Sequence, residues 1–263
     1  CIALMEQVPP INLLDFSTSC HSVKDWEEVM APIVTSEQFS EFRQQGVTVL
    51  RGVFSDWVDV LRKGVDANMA DPDPNARIYT GKDSGGRFFV DYCNWARIPE
   101  YKEFIFNSNA AAIGAELMDS KKVQLFHEHV LVKEAATGVP TPWHQDAPYY
   151  CVDSAKTVSL WIPLDDVPRE TTPEFISGSH KWDKFYRPQR FDGSALNEHD
   201  GLEDIPDING HRGDYDILGW AVGPGDAIAF DYRTIHGAPA NASLSNQRRA
   251  FSLRLVGDDT RFV

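Results

Sequence analysis

Cysteine is scarce in this chain, and long apolar runs are absent. The 263 residues include four cysteines, which form no CxxC pair and no zinc-finger spacing. This usage predicts free thiols in a reducing compartment, and therefore a cytoplasmic protein without a disulfide framework. No apolar run reaches the roughly 18 residues of a transmembrane helix, and residues 1–10 are too short and too acidic for a signal peptide. We therefore expect no membrane association.

Basic residues are also in short supply. Lysine and arginine total 25 against 39 aspartates and glutamates, which gives a formal net charge of −14. Such a surface repels nucleic acid and anionic membranes, so neither is expected as a partner. A small anionic molecule is not excluded, because one or two buried arginines can reverse the potential inside a pocket. The oligomeric state is not indicated by the sequence.

The apolar content is ample. Hydrophobic residues make up 42% of the chain, with 15 phenylalanines and 7 tryptophans, so one domain spanning residues 1–263 can bury a thick, partly aromatic core. Residues 1–120 are predicted to be a mostly helical support region. Thr35 and Gln38 form a capping-box pattern that begins a helix, and Gly46 ends it. Further helices are predicted over 55–70 and 108–119, the last capped by Ser108.

Residues 121–263 have a different character, rich in β-branched and aromatic residues between turn signals. The pattern predicts strands over 123–133, 157–164, 226–230 and 248–256, with earlier strands over 47–50 and 87–91. This layout indicates a mainly β protein with flanking helices, of the α+β class, with an antiparallel β core. Residues 183–218 are polar and lack a clear period, which predicts a surface insertion or lid.

A candidate metal site comes from one short motif and one distant histidine. His144 and Asp146 form His-x-Asp, and residues i and i+2 of a strand point to the same face. His236 lies about ninety positions later and offers a third ligand. Two imidazoles and one carboxylate leave three coordination positions open, which suits iron(II) oxygenases. A closed structural zinc site would want four ligands, usually with thiolates. Residues 127–129, His-Glu-His, form a rival pair without an evident third partner.

A second signal follows twelve residues after His236. In the predicted strand over 248–256, Arg248, Ala250, Ser252 and Arg254 share one face, opposite an apolar face. An arginine that points into a barrel is costly unless it is paired. A dicarboxylate ligand would pair it bidentately, and a salt bridge to one of the many acidic residues is the alternative.

Taken together, these segments resemble the phytanoyl-CoA dioxygenase-like (PhyH) family of iron(II)- and 2-oxoglutarate-dependent oxygenases. The resemblance spans roughly residues 35 to 260, and its motifs occur in the family's order. It is carried by residues 130–134, 141–149 (TPWHQDAPY), 158–166 (VSLWIPLDD), 176–180 (ISGSH), 224–226 (PGD), 236–237 (HG) and 248–252 (RRAFS).

The resemblance implies a double-stranded β-helix, a jelly-roll or cupin-like barrel, that uses iron(II), 2-oxoglutarate and O₂. It implies that His144, Asp146 and His236 hold the iron. Arg248 would bind the distal carboxylate of 2-oxoglutarate, with Arg249 as the rival for that role. Two further residues would line the cosubstrate pocket: Trp161 and His129. One departure is Ala238, where relatives often carry a serine that contacts the cosubstrate.

The reaction implied is hydroxylation of an unactivated C–H bond of a small molecule, with release of succinate and CO₂. Asp146 favours this outcome over halogenation, because halogenating relatives carry a small residue at its position. Tyr149 and Lys133 are candidates for contact with the substrate. The alternatives are a non-catalytic metal- or ligand-binding barrel and a cupin-like metalloenzyme that does not use 2-oxoglutarate. The substrate itself is not named by the sequence, since one fold hosts many functions.

Overall fold

Most of the secondary structure of this computed structural model is antiparallel β-sheet. The structure describes residues 12–15, 32–81, 85–191, 194, 196 and 201–263. The strands are β1 Asn12–Asp15, β2 Val47–Leu50, β3 Arg77–Thr80, β4 Arg87–Tyr92, β5 Lys122–Lys133, β6 Thr141–His144, β7 Val152–Asp153, β8 Thr157–Pro163, β9 Glu174–Ile176, β10 Ile217–Leu218, β11 Ala227–Phe230, β12 His236–Ala238, β13 Arg248–Val256 and β14 Arg261–Phe262.

Two sheets face each other. The major sheet has the order β2-β11-β8-β13-β5-β4-β3, with β1 also paired to β5. The minor sheet has the order β10-β9-β12-β6, and β7 pairs with β14 apart from both. The neighbouring strands are far apart in sequence, which is the arrangement of a jelly-roll barrel. The predicted fold class, mainly β with flanking helices, is confirmed.

Four α-helices are present in the described part of the chain: α1 Ser36–Gln45, α2 Val58–Ala70, α3 Pro99–Asn107 and α4 Ala110–Met118. The predicted capping box of α1 is confirmed, because the Thr35 side chain accepts from Gln38 N and the Gln38 side chain accepts from Thr35 N. Gly46 ends the helix in the left-handed conformation, with φ of 81°, which glycine adopts without a Cβ penalty.

The region between α2 and α4 departs from the sequence prediction. α3 was not expected. It begins at Pro99, a residue suited to the first turn of a helix, and has no side-chain cap. The prediction that Ser108 caps the next helix is wrong, because α4 begins at Ala110 and Asn109 is its N-cap residue. Ser108 Oγ instead accepts from Ala110 N at 3.3 Å.

The helices cover one face of the major sheet and leave the other face to the barrel interior. On β13 the odd-numbered residues from Phe251 to Leu255 are buried against the helices. The Phe251 ring lies 4.8 Å from Tyr101 and 5.5 Å from Phe104, both of α3. The even-numbered residues of β13 face the other way, so strand alternation separates a structural face from a cavity face.

The change from helical to β-rich sequence near residue 120 does not mark a boundary between two structural units. β1 to β4 precede residue 121, yet all four are hydrogen-bonded into the major sheet. The expected insertion over 183–218 is likewise tied to the barrel in its described parts. Tyr186 and Ile208 are buried beside Ile235, and β10 is a strand of the minor sheet. Among the described residues, no helix combines the length and the apolar character needed to cross a bilayer.

Candidate metal centre

His144 and His236 are brought together by strand pairing. β6 and β12 are antiparallel neighbours in which His236 is directly opposite His144, and the two ring centroids are 4.2 Å apart. His144 Nδ1 donates to the Pro142 carbonyl at 2.8 Å, and His236 Nδ1 donates to the Thr234 carbonyl at 2.9 Å. Each carbonyl fixes the tautomer that leaves the Nε2 lone pair free for a metal ion.

Asp146 reaches the same point by a different route from the one predicted. β6 ends at His144, and Asp146 has helical φ and ψ at the start of a 3₁₀ turn, Ala147–Tyr149. The prediction that the two residues share one strand face is therefore wrong, although their side chains converge. Asp146 Oδ1 lies 3.7 Å from His144 Nε2 and 4.0 Å from His236 Nε2. One ligand atom from each of the three residues lies within 4.8 Å of the others.

The second oxygen of Asp146 is held by the major sheet. Ser159 Oγ donates to Oδ2 at 2.9 Å, and Arg254 Nε lies 3.4 Å from the same oxygen. The carboxylate thus presents Oδ1 to the histidines while Oδ2 is occupied. Burial disfavours the ionised form, but Arg254 and the two histidines hold the pKa of Asp146 below its usual value.

The two histidine ligands are neutral in this environment. Burial is the largest cause that lowers the pKa of His144. Burial and the neighbouring His144 lower the pKa of His236 to about 3. A neutral imidazole with one nitrogen already donating is the form that binds a metal ion.

Arg254 is the main site residue to which the sequence analysis gave no role. It is 5% exposed, its Nε donates to the Tyr150 hydroxyl, and its Nη1 has no hydrogen-bond partner among the described residues. Asp146 and two tyrosine hydroxyls raise its pKa although burial opposes this. The sequence predicted that Arg254 shares a strand face with Arg248. It did not predict that Asp146 lies above that face, where Arg254 contacts it.

The metal-ligand cluster opens into a cavity of about 1140 Å³ between the two sheets. Arg248 lines it and is 7% exposed. Its guanidinium donates to the Thr171 carbonyl, and no carboxylate of the described chain lies within 4.0 Å of it. Burial lowers its pKa to about 10. The salt-bridge alternative for this arginine is therefore wrong within the described residues, and a buried cation faces the cavity without an anion.

Arg249 lies on the opposite face of β13. It forms ion pairs with Asp165 at 2.8 Å and Asp66 at 3.3 Å and does not line the cavity. Strand alternation thus gives the two adjacent arginines different surroundings, and only Arg248 is directed at the site.

The cavity floor next to the metal ligands is a polar row across three strands. Trp161, Ser252 and His129 are aligned on β8, β13 and β5, and all three line the cavity. His129 Nε2 and Ser252 Oγ have no hydrogen-bond partner among the described residues. His127 also lines the cavity, so both histidines of the rival pair face the same space as the metal ligands. Burial lowers the pKa of both His127 and His129.

Tyr149 and Lys133, the two candidates for substrate contact, differ in position. Tyr149 lines the cavity, and its hydroxyl donates to the Gln189 carbonyl and accepts from Gln189 N at 2.8 Å. Lys133 does not line the cavity. Its Nζ donates to the Pro239 carbonyl at 3.0 Å and lies 4.8 Å from the centre of the Phe88 ring. The expectation of substrate contact by Lys133 is not met, because its amine lies outside the cavity lining and hydrogen-bonds to a backbone carbonyl of the fold.

An antiparallel barrel with two histidines and one aspartate converging in its cavity defines the class of non-haem iron oxygenases. The chain matches the family profile Phytanoyl-CoA dioxygenase (PhyH) over residues 42–250 and belongs to this family. The resemblance noted in the sequence is thereby confirmed, and with it the expected cofactors of the family, iron(II), 2-oxoglutarate and O₂. No curated protein matches the chain significantly.

Solved structures share this fold. The chain is similar to the non-heme alpha ketoglutarate dependent carbocyclase SnoK from nogalamycin biosynthesis, with 22% identity, a TM-score of 0.70, and coverage of 87% of this chain and 86% of that chain. It is also similar to the epimerase SnoN in complex with Fe3+, alpha ketoglutarate and nogalamycin RO, with 19% identity, a TM-score of 0.69, and coverage of 86% of this chain and 84% of that chain. A third similar structure is EvdO2 from Micromonospora carbonacea var. aurantiaca complexed with 2-oxoglutarate, with 20% identity, a TM-score of 0.64, and coverage of 88% of this chain and 93% of that chain.

Proposed function

We propose that this protein is an iron(II)- and 2-oxoglutarate-dependent dioxygenase that hydroxylates an unactivated C–H bond of a small molecule. The observation that carries the proposal is the pairing of two features in one cavity. Three ligand atoms from His144, Asp146 and His236 converge there, and the buried, anion-free guanidinium of Arg248 lines the same space. A metal ion and a dicarboxylate satisfy both features at once.

The donor set fits a first-row divalent metal that retains open positions. The ligand atoms are two neutral imidazole nitrogens and one carboxylate oxygen. His144, Asp146 and His236 would hold iron(II), and Arg248 would hold the distal carboxylate of 2-oxoglutarate. Trp161 and the unpartnered Nε2 of His129 would border the cosubstrate. When bound, iron and 2-oxoglutarate supply O₂ activation, with succinate and CO₂ as products of the cosubstrate.

The protein's own residues position these groups and exclude water. Ser159 and Arg254 occupy Asp146 Oδ2, which leaves Oδ1 as the oxygen for the metal. Aromatic rings make up much of the cavity wall, among them Phe126 and Tyr150, whose centroids are 4.9 Å apart. A dry, apolar wall limits side reactions of a strong oxidant and strengthens the electrostatic contacts inside.

Hydroxylation is proposed over halogenation because Asp146 fills the coordination position that halogenating relatives leave free. The named neighbours include a carbocyclase and an epimerase, so cyclisation and epimerisation are the competing outcomes within the same chemistry. A non-catalytic metal- or ligand-binding barrel is disfavoured because both features occur together. A ligand-binding module has no need for three converging metal ligands, and a metal-binding module has no need for the buried Arg248 guanidinium beside them.

The test is iron-dependent formation of succinate from 2-oxoglutarate, with product mass spectrometry under ¹⁸O₂. We expect His144→Ala and Asp146→Ala to abolish succinate formation. His211→Ala is the matched control, because His211 is exposed, belongs to no metal-ligand cluster and does not line the cavity, and it should keep the parent rate. Succinate formation at the parent rate in His144→Ala would refute the metal assignment. A product that gains no oxygen from ¹⁸O₂ would refute hydroxylation and favour cyclisation or epimerisation.

A further inference from the structure

We infer that the substrate is a long, largely apolar molecule with one anionic group, which Arg77 binds at the cavity rim while the other end reaches the metal. This inference rests on the proposed function, because it concerns the space beside the metal that the cosubstrate leaves open. Its support comes from the charge of the cavity wall, the position of Arg77 in the sheet, and the size and apolar character of the cavity.

The cavity wall has the opposite charge balance to the whole protein. The chain has 39 acidic and 25 basic residues, yet four arginines and one carboxylate line the cavity in its described part: Arg77, Arg190, Arg248, Arg254 and Asp146. Arg254 lies beside Asp146, and in the proposed function Arg248 binds the distal carboxylate of the cosubstrate. Arg77 then remains as positive charge for a second anion.

Arg77 is the first residue of β3, at the edge of the major sheet. Strand alternation places Arg77 and Tyr79 on the cavity side, while Ile78 between them is 55% exposed on the outside. No carboxylate of the described residues lies within 4.0 Å of Arg77. The charge of Arg77 also acts on a cavity-lining residue, Tyr92. Burial raises the pKa of Tyr92, and the positive charge of Arg77 lowers it in part.

The sheet register gives the distance from Arg77 to the reaction site. Arg77 pairs with Val90, Val90 with Leu131, and Leu131 with Ala250 of β13, so these four residues form one row across the sheet. Three strand spacings of about 4.8 Å separate β3 from β13 by roughly 14 Å. Arg254, beside the metal ligand, is also on β13 but four residues beyond Ala250, which adds about 13 Å along the strand. The two displacements combine to roughly 20 Å between the Arg77 and Arg254 backbones. The Arg77 side chain spans part of this distance, so a substrate that reaches from its guanidinium to the metal is on the order of 15 Å long.

The path between these two points is apolar. Tyr79, Phe88 and Phe191 form a cluster at the rim with centroid distances of 5.0 to 6.0 Å, and Val90 and Leu131 continue the wall inward. The cavity volume of about 1140 Å³ lies just above the usual range for small-molecule sites. It holds a dicarboxylate and still leaves room for a ligand of drug size. Apolar rings or an alkyl chain suit this wall, and the guanidinium suits a carboxylate, sulfonate or phosphate.

The test compares two fluorescent probes that share a ring skeleton and differ in charge, 8-anilinonaphthalene-1-sulfonate and neutral N-phenyl-1-naphthylamine. Both are titrated without oxygen into the full protein with iron(II) and 2-oxoglutarate, which keep the metal site and Arg248 occupied. We expect the anionic probe to bind more tightly. Arg77→Met should weaken the anionic probe by about fivefold to tenfold and leave the neutral probe within about twofold. Arg77→Glu should weaken the anionic probe further.

Lys102→Met is the matched control, because it removes one exposed positive charge on α3, outside the cavity. It should change neither titration. Equal affinity of the parent for both probes, or an unchanged anionic titration in Arg77→Met, would overturn the inference. Probe binding is measured without turnover, so this failure would leave iron-dependent succinate formation intact. Loss of the proposed function would instead appear as succinate formation that is independent of His144.

Discussion

Arg248 and Arg249 are adjacent in the chain but face opposite sides of β13. Arg248 is buried on the cavity side without a carboxylate in the described structure, whereas Arg249 is paired with Asp165 and Asp66. We expect Arg248→Met to weaken 2-oxoglutarate binding by about 2 to 5 kcal/mol, since it removes one partner of a buried charge pair. Anaerobic calorimetry with iron(II) present measures this affinity directly.

Arg249→Met is the matched control for that measurement, because it makes the same change one residue away. It should leave 2-oxoglutarate affinity within about twofold and lower stability by about 1 to 3 kcal/mol, because it leaves the mostly buried Asp165 carboxylate without its partner. The opposite pattern, with a large loss of affinity only in Arg249→Met, would transfer the cosubstrate role to Arg249.

Glu128 is a buried acid that lies between two cavity-lining histidines but points to the other face of β5. It is fully buried and accepts a hydrogen bond from Asn94 N, while its Oε2 has no partner among the described residues. Burial raises its pKa to about 8 from a usual value of 4.5. The folded protein therefore keeps this proton over a pH range in which the unfolded chain has released it.

This difference sets the sign of a pH effect on stability. Below about pH 4.5 both states bind the proton, and Glu128 contributes no pH dependence. As pH rises from 4.5 to about 8 the folded state loses free energy of unfolding by up to a few kcal/mol, at about 1.4 kcal/mol per pKa unit. Glu128→Gln keeps the acceptor oxygen and removes the titration. Urea unfolding at pH 6 and pH 9 should show a smaller loss in Glu128→Gln than in the parent, and equal losses would contradict the assignment.

At the scale of elements, Gly46 joins α1 to β2 and supports the loop that leads to His236. The Gly46 carbonyl accepts from Asp231 N at 2.9 Å and from Thr234 Oγ1 at 2.8 Å. Gly46 has φ of 81°, and a Cβ there would overlap His180 Nδ1 and Thr234 Oγ1. We expect Gly46→Ala to lower the free energy of unfolding by about 2 to 4 kcal/mol, because left-handed strain and overpacking add.

Gly52→Ala separates these two causes. Gly52 also has a left-handed φ, of 65°, but the nearest atom to its added Cβ is Ser55 Oγ at 3.5 Å, an ordinary contact. Its substitution should cost only the backbone strain of about 1 to 2 kcal/mol. Urea unfolding of both variants measures the difference. Equal costs at the two positions would show that crowding by His180 and Thr234 is relieved without penalty.

Most of the longer elements could be predicted from the sequence, as could the short strands β2 and β11, whereas the other short strands could not. β5, β8 and β13 are 12, 7 and 9 residues long and rich in apolar residues, and the caps of α1 are local signals. α3 lacks a side-chain cap and is mostly polar or aromatic. The described strands of the minor sheet are two to four residues long, too short for a period to emerge, so their existence depends on tertiary packing.

At the scale of the whole molecule, the site exists because two sheets contribute different halves of it. The minor sheet supplies His144 and His236, and the turn after β6 supplies Asp146. The major sheet supplies Ser159 and Arg254, which hold Asp146 Oδ2. Motif spacing and family resemblance identify the ligand residues. The pairing of Asp146 with Arg254 depends on how the sheets face each other, which no sequence pattern encodes.

Because the site is formed by residues of both sheets, we expect its ligands to raise the free energy of unfolding of the whole domain. His144 and His236 lie on the minor sheet and Arg248 on the major sheet, so iron(II) and 2-oxoglutarate bound together would join the two. A ligand at 100 times its Kd that binds only the folded state adds about 2.7 kcal/mol to the free energy of unfolding, or roughly 5–10 °C in Tm for a domain of this size.

We expect this Tm shift on addition of iron(II) and 2-oxoglutarate under anaerobic conditions. Asp146→Ala should lose the shift caused by iron(II), and Arg248→Met should keep it but lose the increment from 2-oxoglutarate. Equal shifts in the parent and both variants would show that the ligands bind elsewhere.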